Sequence, residues 1–221
     1  MWNAQVEYFA KKYKVIIYDQ RGHGRSDKPK DDYSIQTLAN DLHSLLQNLD
    51  LEQVTLVGHS MGGMAALQFV LDHPENVSKL VLIGTTAKTS CSHRVFVWIL
   101  QHLIPYQAFA KGSIKFKCYE PPSEPVIKAI IECALMTPKY AAFACFTEYT
   151  KHYDLRDKVA AIKVPTLIVV GAQDKSTPPK MSRYLHNQIE GSQLEIIPEC
   201  GHMVHIERPD ELNEVIAEFI R

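Results

Sequence analysis

Five short runs of apolar and mostly β-branched residues recur along the chain, and segments with helical spacing separate them. The runs contain VIIYD, VTLVG, KLVLIG, TLIVVG and QLEII and lie at Lys14–Asp19, Val54–Gly58, Lys79–Gly84, Thr166–Gly171 and Gln193–Ile197. Nearly continuous apolar runs are typical of strands covered on both faces, and their alternation with helices is typical of a parallel sheet. The sequence therefore predicts an α/β fold, with a mainly parallel sheet of about five strands and flanking helices.

Three segments have the spacing of helices that pack on such a sheet. Ile35–Leu49 has an apolar stripe at helical spacing, Met61–His73 directly follows the second predicted strand, and Pro209–Ile220 closes the chain with one apolar face. We predict a helix for each of them.

Residues 86–156 interrupt this alternation, because they contain no convincing strand. Their helical patterns lie at Arg94–Leu103, Glu124–Met136 and Pro138–His152. We therefore expect residues 1–85 and 157–221 to form the α/β core and residues 86–156 to be a helical cap inserted between two of its strands.

The composition is that of an ordinary globular protein. The 221 residues are 46% hydrophobic and 22% charged, with a net charge of −1, which gives no electrostatic reason to expect a nucleic acid or an anionic membrane as partner. The apolar run Val164–Gly171 is far shorter than a membrane span, and the first residues lack the pattern of a signal peptide. The five cysteines have no paired spacing and are typical of reduced thiols. We expect a cytoplasmic protein.

The sequence Gly58-His59-Ser60-Met61-Gly62 stands where the second predicted strand meets a predicted helix. In a G-x-S-x-G pattern of this kind, the serine lies on a tight turn with its hydroxyl exposed, and the small residues on either side let the chain fold back. The N–H of Met61 would face the oxyanion that forms when Ser60 attacks a carbonyl. We predict Ser60 as nucleophile and Met61 as oxyanion donor.

In this pattern the chain resembles the α/β-hydrolase family, and the resemblance extends to Tyr18–Asp27 (YDQRGHGRSD), Thr166–Asp174 and Gly201-His202. It spans nearly the whole chain outside the cap and implies the order nucleophile, acid, base. Asp174 follows the strand after the cap, and His202 follows the last strand. The resemblance thus implies that His202 takes the proton of Ser60 and that Asp174 orients His202, a chemistry that needs no cofactor.

Other residues near this triad have competing interpretations. His205 is an alternative base, although Gly201 directly before His202 favours His202. We expect His59 to pack or to form a hydrogen bond beneath the turn. Cys200, His202 and His205 have no fourth ligand nearby and fit no common zinc spacing, so we expect no metal.

The resemblance also implies a departure at the start of the chain. Family members begin with further strands, the last of which leads into a His-Gly loop with a second oxyanion N–H, whereas Met1-Trp2-Asn3 resembles the helix after that loop. Lys14–Asp19 and Val54–Gly58 should then pair directly, or another chain should fill the gap, for example in a homodimer. We expect a substitute oxyanion donor from Gly22-His23-Gly24 or from the cap.

We interpret the chain as a serine hydrolase, specifically a carboxylesterase that acts on short, uncharged, small-molecule esters. Lactonase, carbon–carbon bond hydrolase and perhydrolase activities use the same triad and stay open. A serine nucleophile argues against haloalkane dehalogenases and epoxide hydrolases, which use a carboxylate in that position. The alternative from another class is a non-catalytic binding protein on a degenerate hydrolase scaffold, which the missing loop favours and the triad opposes.

Overall fold

The computed structural model describes residues 1–89, 112–114 and 116–221. In these ranges, four strands form one parallel sheet in the order β1-β2-β3-β4. The strands are β1 (Val54–His59), β2 (Val77–Ile83), β3 (Thr166–Gly171) and β4 (Gln193–Ile197). The predicted fold class, a parallel sheet with flanking helices, is confirmed, but the sheet has four strands and not five.

The described helices surround this sheet. They are α1 (Asn3–Phe9), α2 (Ile35–Asn48), α3 (Met61–Asp72), α4 (Glu124–Leu135), α5 (Lys139–Lys151), α6 (Pro179–Gln188), α7 (Val204–Glu207) and α8 (Pro209–Ile220). Short 3-10 helices lie at Pro74–Asn76 and Val159–Ala161. The predictions of α2, α3 and α8 are confirmed to within a residue at each end, whereas the helix expected at Arg94–Leu103 lies outside the described residues.

The central strands send alternate side chains into two apolar layers. On one face, Leu80 and Leu82 of β2 pack in a cluster with residues of α2, α3 and α6. On the other face, Val81 and Ile83 pack with residues of α8, and Trp2 and Phe9 at the two ends of α1 join that cluster. Every position of β3 is buried because both faces of this strand are covered, and this burial explains its apolar run from Leu167 to Val170.

The predicted strand at Lys14–Asp19 is wrong. Residues 14–20 have no regular secondary structure and join no strand of the described sheet, and Ile16 and Ile17 are 41% and 59% exposed. A strand needs a neighbour for its backbone groups, but within the described ranges β1 pairs with β2 alone and no strand lies at its other edge. Direct pairing of Lys14–Asp19 with Val54–Gly58 is therefore also wrong.

Helices α4 and α5 lie between β2 and β3 in the chain. An antiparallel bridge and an ion pair of 2.9 Å join Lys88 to Asp154 at the base of this segment. Within the described ranges, no single helix is long and apolar enough to span a membrane. Helices α4 and α5 reach that length and composition only as a pair, and they are bent by 88° at the break between them.

Candidate active site

Three polar side chains meet beyond the carboxyl ends of the strands. Ser60 directly follows β1, Asp174 follows β3 and His202 follows β4. Because the carboxyl ends of parallel strands share one edge of a sheet, residues that are distant in sequence come together there. The structure thus brings together all three residues that the sequence singled out as nucleophile, acid and base.

The three side chains form a continuous hydrogen-bonded chain. Nε2 of His202 lies 3.0 Å from Oγ of Ser60, and Nδ1 of His202 lies 2.8 Å from Oδ2 of Asp174. The side chains of His202 and Asp174 are 2% and 0% exposed. An ionised carboxylate only accepts hydrogen bonds, so Nδ1 carries the proton and the lone pair of Nε2 faces the serine hydroxyl. In this tautomer His202 is able to take the proton of Ser60.

The loop after β3 keeps Asp174 ionised. Oδ1 of Asp174 accepts the N–H groups of Ser176 at 2.7 Å and Thr177 at 2.8 Å, and the Thr177 hydroxyl donates to Oδ2 at 2.7 Å. Burial alone would raise the pKa of Asp174, but His202 and Thr177 together lower it below its usual value. Ser176 and Thr177 were not predicted from the sequence, although a serine and a threonine two and three residues after an aspartate are a local signal for such a turn.

Ser60 lies on a strained turn. Its backbone has φ 52° and ψ −119°, which a residue with a side chain rarely adopts and which costs about 1–3 kcal/mol. The surrounding hydrogen bonds hold it there, because the N–H of Ser60 donates to Ile83 O at 3.0 Å and the Thr85 hydroxyl donates to Ser60 O at 2.8 Å. The hydroxyl is thereby presented to His202 by the backbone conformation itself.

The glycines around Ser60 differ in whether the structure has room for a Cβ atom at their position. A Cβ at Gly58 would lie 2.6 Å from the carbonyl oxygen of Gly62, and one at Gly63 would lie 2.7 Å from the Thr85 side chain. A Cβ at Gly62 would meet no atom of the described residues within 4 Å. The close approach therefore requires Gly58 and Gly63, whereas the sequence pattern had pointed to Gly58 and Gly62.

The N–H of Met61 is the first of helix α3, and it has no acceptor among the described residues. It is thus free to bind an oxyanion, with the positive end of the helix behind it. The backbone N–H groups of Gly22 and His23 are not the second oxyanion donor that the sequence led us to expect. Their N–H groups already donate to Asp27 O at 2.8 Å and Gln20 O at 2.9 Å.

Glu207 of helix α7 organises the loop that carries His202. Its carboxylate accepts the N–H groups of Gly201 and Met203, each at 3.1 Å, and of Tyr119 at 2.6 Å. The N–H of His202 itself donates to Lys117 O at 2.6 Å. Residues 117–119 and the histidine loop are therefore connected by hydrogen bonds that each segment donates. No sequence pattern had indicated Glu207.

His205, the competing candidate for the base, lies away from this hydrogen-bonded chain. Its ring is buried against Trp2, with a centroid distance of 4.7 Å, and neither ring nitrogen has a partner among the described residues. Burial, followed by the charge of His202, lowers the pKa of His205 to about 3. Across the described ranges, no group of three or more His, Cys, Asp or Glu side chains is placed to hold a metal ion.

A parallel sheet with helices on both faces, and with a serine, an aspartate and a histidine at its carboxyl edge, defines the α/β-hydrolase class of enzymes. The chain is a member of this class. It belongs to the family described as serine aminopeptidase S33, which matches residues 4–209.

Known proteins of several activities are similar to this chain in sequence and fold. The chain is 32% identical to 3-oxoadipate enol-lactonase 2 of Acinetobacter baylyi, over 100% of this chain and 84% of the relative. It superposes with a TM-score of 0.91 on the enol-lactonase of Burkholderia xenovorans LB400, at 27% identity and over 99% of this chain and 85% of that one. It also superposes with a TM-score of 0.90 on a thermophilic esterase of Thermogutta terrifontis, at 28% identity and over 100% and 84% of the two chains.

Proposed function

We propose that the chain is a serine hydrolase that cleaves short, uncharged carboxylic esters through an acyl-enzyme on Ser60. The observation that carries the proposal is the alignment of Ser60 Oγ, His202 and Asp174, with distances of 3.0 Å and 2.8 Å between successive partners. Such spacing is within the range required for proton transfer from a nucleophile to its base.

In the first half of the reaction, Oγ of Ser60 attacks the ester carbonyl carbon and Nε2 of His202 takes the hydroxyl proton. The carbonyl oxygen becomes an oxyanion beside the N–H of Met61. When the tetrahedral intermediate collapses, the bond to the alcohol breaks and His202 returns the proton to the departing oxygen. Asp174 stabilises the imidazolium that exists between these two transfers.

In the second half, water takes the place of the alcohol. His202 removes a proton from the water as it attacks the acyl carbon, and a second oxyanion forms in the same position. Collapse releases the carboxylic acid, and the proton passes from His202 back to Oγ of Ser60. The cycle consumes only ester and water, so the proposed reaction has no redox step.

Lactone hydrolysis is the second candidate, because two of the similar proteins are enol-lactonases. A lactone is an internal ester, and its acyl-enzyme keeps the alcohol on the same molecule. The triad would perform the same steps on both substrates. The two candidates are therefore distinguished by which substrate is turned over faster.

The test compares hydrolysis of p-nitrophenyl acetate, butyrate and octanoate with that of a δ-lactone followed by pH-stat titration. The variants are Ser60→Ala and, as matched control, Ser44→Ala, which changes an exposed serine on α2. We expect kcat of Ser60→Ala to fall by more than about 10³-fold and that of Ser44→Ala to stay at the wild-type value.

Each outcome has a definite meaning. Faster turnover of acetate than of octanoate, and of esters than of the lactone, supports the carboxylesterase. Preference for the lactone supports the second candidate. A wild type that melts cooperatively but hydrolyses none of these substrates would contradict both and would favour a binding protein on a hydrolase scaffold.

A further inference from the structure

His59 directly precedes Ser60 and makes its only described side-chain hydrogen bond to the catalytic base. Its Nε2 lies 2.9 Å from the main-chain oxygen of His202. A carbonyl oxygen only accepts, so Nε2 of His59 must carry the proton and donate it. The residue before the nucleophile is thus tied to the backbone of the base, across 143 positions of sequence.

The ring of His59 also supports the ring of His202. Their centroids are 4.7 Å apart, and the centroid of His205 lies 4.6 Å from that of His59. His205 in turn stacks on Trp2 at 4.7 Å with an interplanar angle of 28°. The ring of His59 therefore lies close to the ring of His202 and also to the ring of His205, which stacks on Trp2.

The groups around His59 favour its neutral form. Burial, then the charges of His205 and His202, lower the pKa of His59 well below its usual value, and Lys117 acts in the same direction. A neutral His59 donates one hydrogen bond and adds no positive charge beside His202. The charge that develops on His202 during proton transfer is then not opposed by a second imidazolium.

We propose that His59 is a positioning residue for the base, because it holds the main-chain oxygen of His202 and so keeps Nε2 of His202 in line with Ser60 Oγ. The inference rests on the proposed reaction through Ser60 and adds a residue to it. A group of this kind acts mainly on kcat, since a displacement of about 1 Å in the reacting groups costs up to about 10²-fold in rate.

The experiment compares two variants of the full chain. His59→Phe keeps an aromatic ring but removes the donor, and His59→Gln places an amide N–H near the position of Nε2. For each we would measure kcat and KM on p-nitrophenyl butyrate, with active sites counted by complete labelling with a fluorophosphonate. The second-order rate of that labelling at Ser60 is the additional readout, because it needs an activated serine but no ester hydrolysis.

We expect His59→Phe to lower kcat per active site by about 10- to 100-fold with KM changed less than about twofold, and to slow labelling by a similar factor. His59→Gln should recover kcat to within about threefold of the wild type, because it restores the donor. Equal kcat in His59→Phe and wild type would overturn the inference. So would equal losses in both variants, which would indicate packing alone.

The two proposals fail in distinguishable ways. If the wild type is labelled at Ser60 but cleaves neither esters nor the lactone, the proposed function fails, and the labelling rates still decide the role of His59. If the wild type is not labelled at all, His202 does not activate Ser60, and the positioning role fails with it.

Discussion

Oγ1 of Thr177 lies 2.7 Å from Oδ2 of Asp174 and 3.2 Å from Nδ1 of His202, so one hydroxyl contacts both partners of the acid–base pair. Asp174 also accepts the N–H of Thr177 at 2.8 Å. These bonds stabilise the carboxylate over the neutral acid and fix the oxygen that His202 needs. Thr177 thus acts on the reaction through Asp174.

Replacing Thr177 by valine keeps the shape and removes the hydroxyl. We expect kcat to fall by about tenfold with KM unchanged, since one hydrogen bond to a charged group contributes about 1.5–3 kcal/mol. The pKa of Asp174, now held low partly by Thr177, should rise, so the acidic fall of activity should move to higher pH. The measurement is kcat against pH, with Thr177→Ser as the control that should keep the wild-type profile. Identical profiles for valine and serine would contradict this role.

Glu207 connects the histidine loop to residues 117–119, because it accepts N–H groups from Gly201, Met203 and Tyr119. In Glu207→Gln one acceptor oxygen remains for three donors. We expect the free energy of unfolding to fall by about 1–2 kcal/mol and kcat to fall with it, since His202 lies within this loop. Urea unfolding and kcat on p-nitrophenyl butyrate would measure both. Glu214→Gln, an exposed position on α8, is the matched control, and an equal effect there would refute the prediction.

His205 should make the protein sensitive to acid. Its pKa is about 3 in the folded chain and 6.5 in the unfolded one, so between these values the unfolded state binds the extra proton. The contribution of neutral His205 to the unfolding free energy is therefore fully present above pH 6.5. It is lost as the pH falls below 6.5, by about 1.4 kcal/mol per pH unit for one proton.

The variant His205→Phe removes this titrating group, whose two ring nitrogens have no partner among the described residues. At pH 8 we expect the variant and the wild type to have nearly the same unfolding free energy. At pH 5 we expect the unfolding free energy of the variant to exceed that of the wild type by about 2 kcal/mol. Urea titrations at the two pH values would show it. A parallel pH dependence of variant and wild type would mean that His205 is not buried in its neutral form.

Residues with a strong local signal were predictable from the sequence. Ser60 stands in a short motif at a strand–helix junction, and Asp174 and His202 each follow a clear apolar run. Because all three residues follow strands of a parallel sheet, their position at one edge of that sheet was also predictable. Glu207 was not predictable, because its function depends on the distant Tyr119 approaching the histidine loop. Lys14–Asp19 shows the opposite error, since its composition favours a strand but no neighbouring strand of the described sheet is there to pair with it.

Among the described residues β1 has a strand partner on one side only, and its other edge leads us to expect pairing with a second copy of the chain. Strand Val54–His59 has no Lys, Glu, Asp or Pro to protect it, and Val57 is 38% exposed. Light scattering should give a molar mass of about twice the 25.1 kDa of one chain, and Val57→Lys should return it to the monomer. Leu135→Lys, at an exposed leucine that ends α4, is the control and should stay dimeric. A wild type that is monomeric would exclude the pairing.

The two glycines after Ser60 offer a direct test of the turn. An added methyl group at Gly62 meets nothing within 4 Å in the part of the chain that the structure describes, and alanine is the better helix former. Gly62→Ala should therefore raise the unfolding free energy by up to about 1 kcal/mol. At Gly63 the same methyl group would lie 2.7 Å from Thr85, whose hydroxyl holds Ser60 O. Gly63→Ala should therefore cost about 1–3 kcal/mol and lower kcat, because Thr85 must move away from the turn. Thermal melts would compare the stability of the two variants, and ester hydrolysis would compare their kcat. Equal results for both variants would show that the turn around Ser60 accepts a Cβ at Gly63 despite the close contact with Thr85.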